Sequence, residues 1–295
     1  MPSGITRTGS LADSLPDIRQ SARIVQEQEG VMVQAVSRER LGEGDGLSWN
    51  EVTLAQLTAQ NVGESDELDN PQLLSDSLLT ITPTVTGIQT LITDRVMRRI
   101  SKNVWAKTGA LAQNAMQRKK DIDGLALFAS ATTTLGAAGS TATFGHVASG
   151  VTQISSNVCE PGPGPYHTVL HGFVIKDFWD ELTAPLGTDE ITSGETARAL
   201  REGYKGNING SRVFEDGNIS INTCCDARGG VFAKRAYILV EGHSPRTEVK
   251  RRPEIGGGAD ELFMYDEFAY GRRSAGGSGG GWDFGLLFDA TAPTS

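Results

Sequence analysis

Between Asp94 and Lys120 the chain carries eight Lys or Arg and one acidic residue, on a stretch whose apolar residues keep a helical period. Ile92, Val96, Ile100, Val104, Leu111 and Ala115 fall within about 140° of one another at 100° per residue, with Arg95, Arg98, Arg99 and Lys102 on the other side. Asp94 suits a first turn and Arg118, Lys119 and Lys120 a last one, as the helix dipole prefers. The spacing predicts one helix of roughly 40 Å, long enough to act as the spine of a domain. Residues 41–80 carry eight Asp or Glu and no basic residue. Two opposed charge blocks in one subunit point to contact between neighbouring copies.

With 295 residues and 38% hydrophobic content, the chain can bury one large core or two smaller ones, without a disulfide framework or a structural metal. A net charge of −9 argues against nucleic acid or an anionic membrane as the main partner, because both demand clustered cations. Cys159, Cys224 and Cys225 have no C-x-x-C spacing and read as small buried thiols in a reducing compartment. No basic-then-apolar leader opens the sequence, and no run of about 18 apolar residues predicts a membrane-spanning helix. A soluble protein is expected.

Residues 1–13 read as a loose terminus. Ser14-Leu15-Pro16-Asp17 then starts a polar helix with a sparse stripe of Ile18, Ala22, Val25 and Met32, suited to lying against another surface. From Leu41 to Asp69, a Gly-Glu-Gly-Asp-Gly run, partial alternation from Leu47 to Leu57 and the acidic turn at residues 63–67 predict two short strands closing a long exposed hairpin; Leu78 to Thr86 alternates with Thr and reads as a further strand, with Pro83 at an edge or strand end. Asp121 to Phe128 can extend the long helix; Ser130 to Gly150, rich in Gly, Ala and Thr, reads as a boundary, and Pro161 to Pro165 as a second break. Beyond lie a strand over Thr168–Ile175, helices over Lys176–Leu182 and Glu195–Gly203, and a tight hairpin around Val213-Phe214 between Asn209-Gly210 and Asp216-Gly217. Val231–Val240, Leu262–Tyr270 and Trp282–Phe288 complete the strand candidates. The second half is mixed α and β, and the fold class α+β.

The catalytic inventory is empty. Gly276-Gly277-Ser278-Gly279-Gly280 matches the G-x-S-x-G elbow in letters only, since no helix-forming residues follow it. Asp121-Ile122-Asp123-Gly124 resembles a calcium loop, but Thr132 stands where its bidentate Glu belongs. His167 and His171 lie four apart across a strand pattern without an intervening Glu, and His146 and His243 have no motif around them. No nucleotide-binding glycine loop occurs. No cofactor, no metal and no enzymatic activity are expected.

The order of a polar N-terminal helix, an acidic hairpin, the strand Leu79-Thr80-Ile81-Thr82-Pro83, a long basic helix and a mixed domain ending in glycine-rich strands resembles the major capsid proteins of tailed bacteriophages. The best local parts are Thr82-Pro83 leading into Ile92-Thr93-Asp94-Arg95-Val96, the exit Arg118-Lys119-Lys120-Asp121-Ile122-Asp123-Gly124, and Gly210 to Ile219. The resemblance implies a Hong Kong 97 type fold: an N-terminal arm (1–40), an extended loop (41–80), a peripheral domain with the spine helix (81–164), an axial domain (165–235), and return strands (236–295). It also implies hexamers and pentamers closing into an icosahedral shell around double-stranded DNA, held without sequence-specific binding, in a virion assembled in the host cytoplasm. A portal and a decoration protein are further implied partners, with no membrane. Only about a dozen residues precede Ser14, so a separate scaffolding protein is expected. Residues 41–80 hold no lysine, so loop-lysine crosslinking is not expected.

The predicted interface pairs Glu64, Asp66 and Glu67 of one copy with Arg95, Arg98, Arg99 and Lys102 of the next, with Trp49 adding apolar contact. An encapsulin-like nanocompartment shell is the alternative on the same fold. A cytosolic serine hydrolase using His167 or His171 with Ser278 is the alternative from another class.

Overall fold

The computed structural model describes residues 5–6, 30–42, 44–59, 61–62, 64, 71–99, 104–158, 160–183, 206–273 and 281–293. The expected N-terminal helix over residues 14–29, the helix over Glu195–Gly203 and the glycine run with Ser278 lie outside them. In chain order the elements are β1 (Ile5–Thr6), α1 (Met32–Ala35), β2 (Ser37–Arg40), β3 (Trp49–Leu54), β4 (Asp76–Ile81), β5 (Thr84–Thr93), α2 (Asp94–Arg99) and α3 (Val104–Leu125). A 3-10 turn (Ala126–Ser130), β6 (Thr134–Gly136), α4 (Phe144–Ser155), β7 (Tyr166–Leu170) and α5 (Gly172–Thr183) follow. The chain closes with β8 (Asn207–Ile208), β9 (Ser211–Glu215), β10 (Asp226–Ala233), β11 (Tyr237–Glu241), β12 (Arg246–Arg252), β13 (Ala259–Arg272) and β14 (Asp283–Asp289).

Two six-stranded sheets organise these elements. The first runs β1-β5-β13-β11-β2, with β12 also on β13; the second runs β6-β14-β10-β7-β9-β8. The long β13 pairs antiparallel with β5 over Ala259–Phe268, with β12 over Ala259–Tyr265 and with β11 over Phe268–Arg272. One apolar core joins the sheets, with Met32 and Val36 from the N-terminal segment, Phe128, Val151, Phe178, Phe232, Tyr237, Phe268 and Phe288 all within it. The β3–β4 hairpin stands apart as its own two-stranded sheet.

Several expectations change in the folded chain. Pro83, which cannot donate a ladder hydrogen bond, divides the Leu78–Thr86 strand into β4 and β5. Ile92 belongs to β5 and not to a helix. Leu111, expected on the apolar stripe, is exposed, and the buried face runs one residue later through Ala112, Met116, Lys120 and Gly124, a spacing of four. Helix α3 continues to Leu125, so the basic triplet precedes its last turn. The Gly- and Ala-rich stretch from Ser130 contains α4, whose buried residues Val147, Gly150, Val151 and Ile154 keep a helical period that small side chains conceal. Gly150 is needed there because a side chain would enter Val231.

His171, expected in a strand, accepts the Phe173 N–H at 3.2 Å, and α5 begins beside it with Val174 and Phe178 inward. Val231–Val240 breaks between β10 and β11, which serve different sheets. The hairpin at Asn209-Gly210 forms with φ of 47° and 79°, the left-handed pair a tight primed turn requires. The turn at Asp216-Gly217 leads to no second hairpin, since Ile221 makes a single bridge to Ala227.

Candidate assembly interface

The β3–β4 hairpin is built on six cross-strand pairs, from Trp49 opposite Ile81 to Leu54 opposite Asp76. Period-2 alternation gives it two unlike faces. The inner face packs Trp49, Leu79 and Ile81 against Ile238, Val240 and Ala269 of the first sheet. Gly271 lies where a side chain would collide with Ile81, so this glycine opens the seat for the hairpin base. Arg273 Nε donates to the Glu51 carboxylate at 2.6 Å, and its guanidinium lies 5.7 Å from the centre of the Trp49 ring. Trp49, expected to face a neighbour, is therefore engaged within its own chain. Just before β3, Gly44 and Gly46 take φ of 96° and 89°, a left-handed path open to glycine.

The outer face carries three exposed apolar side chains among Asn50, Thr80 and Asp76. Val52 is 56% exposed and sits opposite Leu78 at 63%, while Leu54, at 66%, sits opposite Asp76. Leu47, Leu57, Val62, Leu73 and Leu74, in the segments flanking the strands, are exposed as well. An apolar surface of this kind on one projecting element marks an interaction site. Glu64 is exposed beyond the strands, whereas Asp66 and Glu67 lie outside the described residues.

The basic half divides. On α2, Arg95 and Arg98 are exposed around the buried Val96. Asp94 starts this helix and receives two hydrogen bonds of 2.5 Å from the Arg251 guanidinium, which hold its carboxyl below the usual range. The side chain of Arg99 and the whole of Lys102 lie outside the described residues. Further along, Lys120 leaves the surface altogether: its ammonium meets Glu241 at 3.0 Å and Asp266 at 2.8 Å and lies 5.2 Å from the Phe268 ring centre. Lys119 pairs with Asp123 at 2.6 Å on the same helix. The charge count of a block overstates what it presents to a partner.

Among the described residues, the remaining reactive groups do not converge. His146 Nδ1 accepts the Thr143 N–H at the start of α4. Burial among Phe214 and Phe232 pushes His167 down to about 4, and its Nδ1 has no hydrogen-bond partner. His243 is exposed and donates its N–H to Glu267 at 3.3 Å. Cys224 and Cys225, expected to be buried, are exposed, because they ride a turn held by the Asn222 side chain rather than a strand face. Cys159 lies outside the described residues.

No family model matches the sequence, and no curated protein does. Solved structures do match. A chain from Mycobacterium phage Che8 aligns at 17% identity over 92% of this chain and 96% of its own, with a TM-score of 0.69. The acid-stable capsid structure of Helicobacter pylori bacteriophage KHP30 aligns at 11% identity over 98% and 100%, with a TM-score of 0.70. The capsid structure of the cyanophage P-SCSP1u aligns at 13% identity over 99% of both chains, with a TM-score of 0.69. Across nearly its whole length, the chain has the α+β fold found in these phage capsid structures.

Proposed function

We propose that this chain is the major capsid protein of a tailed double-stranded DNA phage, with a Hong Kong 97 type fold, and that it assembles through hexamers and pentamers into an icosahedral shell. The carrying observation is alignment with phage capsid structures over 98–99% of this chain. In this reading residues 81–164 with the spine helix form the peripheral domain, residues 165–235 the axial domain and residues 236–295 the return strands, except that β14 joins the second sheet beside β10. Residues 1–40 form the arm and 41–80 the extended loop. The role is structural rather than catalytic, and scaffolding, portal and decoration proteins are its expected partners in the virion.

The hairpin of one copy lies on its neighbour. Its acidic residues Glu64, Asp66 and Glu67 face Arg95, Arg98, Arg99 and Lys102, and Val52, Leu54 and Leu78 supply the apolar contact. Each exposed ion pair contributes only about 0–1 kcal/mol, so charge sets register while apolar burial supplies the affinity. Expression of the chain, alone and with its neighbouring viral genes, followed by electron microscopy, tests the proposal. Closed shells or capsomers support it; a monomer under both conditions overturns it.

A further inference from the structure

Asp121 on α3 and Asp216, just after β9, are both fully buried, and each accepts hydrogen bonds from the same two segments. Asp121 takes the Met32 N–H at 3.0 Å and the Asn218 side-chain amide at 2.9 Å. Asp216 takes the Val31 N–H at 3.4 Å and the Asn218 N–H at 2.9 Å. A side chain on Gly30 would collide with the Asp121 carboxyl, so the N-terminal segment passes directly over the pair. Residues 30–36 then bury Met32, Ala35 and Val36 in the common core and lead into β2 of the first sheet, while Asp216 belongs to the second. The two carboxyls thus sit at the joint between the sheets.

We propose that a proton kept on Asp216, beside Asp121, latches residues 30–36 into this joint, and that its loss as pH rises loosens them. Two ionised carboxylates in one buried site repel one another, and among the described residues neither has a cation as a hydrogen-bond partner. Burial first, and then the neighbouring Asp121, push Asp216 up to about 7, against the opposing pull of the Asn218 and Val31 N–H groups. Lys120, the next residue on α3, is committed to Glu241 and Asp266. From β13, Tyr270 presents a buried hydroxyl without a partner; burial and the charge of Asp121 push its ionisation up, Asp123 and Glu241 push the same way, and Arg38 of β2 opposes them.

The sign follows from linkage. A carboxyl whose folded value lies above its unfolded one stabilises the fold fully below the unfolded value, and that contribution is lost as pH rises towards the folded value. Amide hydrogen exchange on the full chain, expressed as protection factors, reads the latch directly at residues 31–36. Protection is expected to fall by up to about tenfold between about pH 6 and pH 8, with the isosteric Asp216→Asn chain keeping its acid-pH protection at the higher pH. Flat wild-type protection factors overturn the proposal, as does an Asp216→Asn chain that repeats the wild-type fall. Should that variant not fold, the carboxyl ¹³C shift of Asp216 in the wild-type chain replaces it: a titration near neutrality supports the latch, and none between about pH 5 and pH 9 overturns it.

Discussion

Replacing Val52, Leu54 and Leu78 together by Asp should abolish assembly and leave the single subunit folded. These side chains are 56%, 66% and 63% exposed, so most of their surface is still available to a neighbour. Full burial of a Val or Leu is worth about 1.5–3 kcal/mol, and covering the exposed fraction gives about 1–2 kcal/mol each, or about 3–6 kcal/mol per hairpin. At about 1.4 kcal/mol for each factor of ten, the concentration needed for assembly should rise at least about a hundredfold. Within the subunit, the loss is limited to cross-strand pairing such as Val52 with Leu78, about 0.2–1 kcal/mol. Sedimentation velocity across a concentration series measures the threshold, and urea unfolding of the unassembled chain measures the subunit. Shells forming at the wild-type concentration would refute the reasoning about the outer face. A subunit weakened by several kcal/mol would show instead that this face is held by its own chain.

Reversing Arg95, Arg98 and Arg99 to Glu should also prevent shell formation with little change in the urea midpoint; normal shells in electron micrographs would defeat the charge pairing. Lys120→Met leaves Asp266, only 4% exposed, without its cation, and should cost about 3–5 kcal/mol in urea unfolding; a loss under about 1 kcal/mol would contradict the ion-pair geometry. His167, held near 4 in the folded chain against 6.5 unfolded, favours the fold fully above pH 6.5. That contribution, at most about 3 kcal/mol, should disappear as pH falls to about 4, and His167→Leu should flatten the slope in a pH series of unfolding midpoints.

Much of the architecture is written in local pattern. Alternation around Trp49 and Leu78, the left-handed preference of Asn209-Gly210, and apolar runs at Leu262–Tyr270 and Trp282–Phe288 each specify a strand or turn through neighbours in the chain, and the folded chain has them there. The acidic character of residues 41–80 and the absence of lysine among them are likewise matters of sequence alone. Helix phase is less legible. Leu111 and Ala112 differ by 100° on the helix, and only the position of the sheets decides that the smaller residue faces inward. Helix α4 escapes a reading by hydrophobicity because Gly150 serves as a contact with Val231, a role that exists only once the strand is in place.

The charged residues mark the boundary most clearly. Sequence counts Arg118, Lys119 and Lys120 as one basic exit, yet Lys120 is drawn inside by Glu241 and Asp266, which are far along the chain. Asp121 follows Lys120 directly in sequence, yet Asn218, 97 residues away, binds it beside Asp216. What the sequence determined by itself is a set of local strands and turns and the sign of each surface block, because propensity and periodicity act over a few residues. Which charges reach a partner, which are buried in pairs, and which face of the hairpin remains open were decided by the tertiary structure, because burial and pairing depend on groups that only the fold brings together.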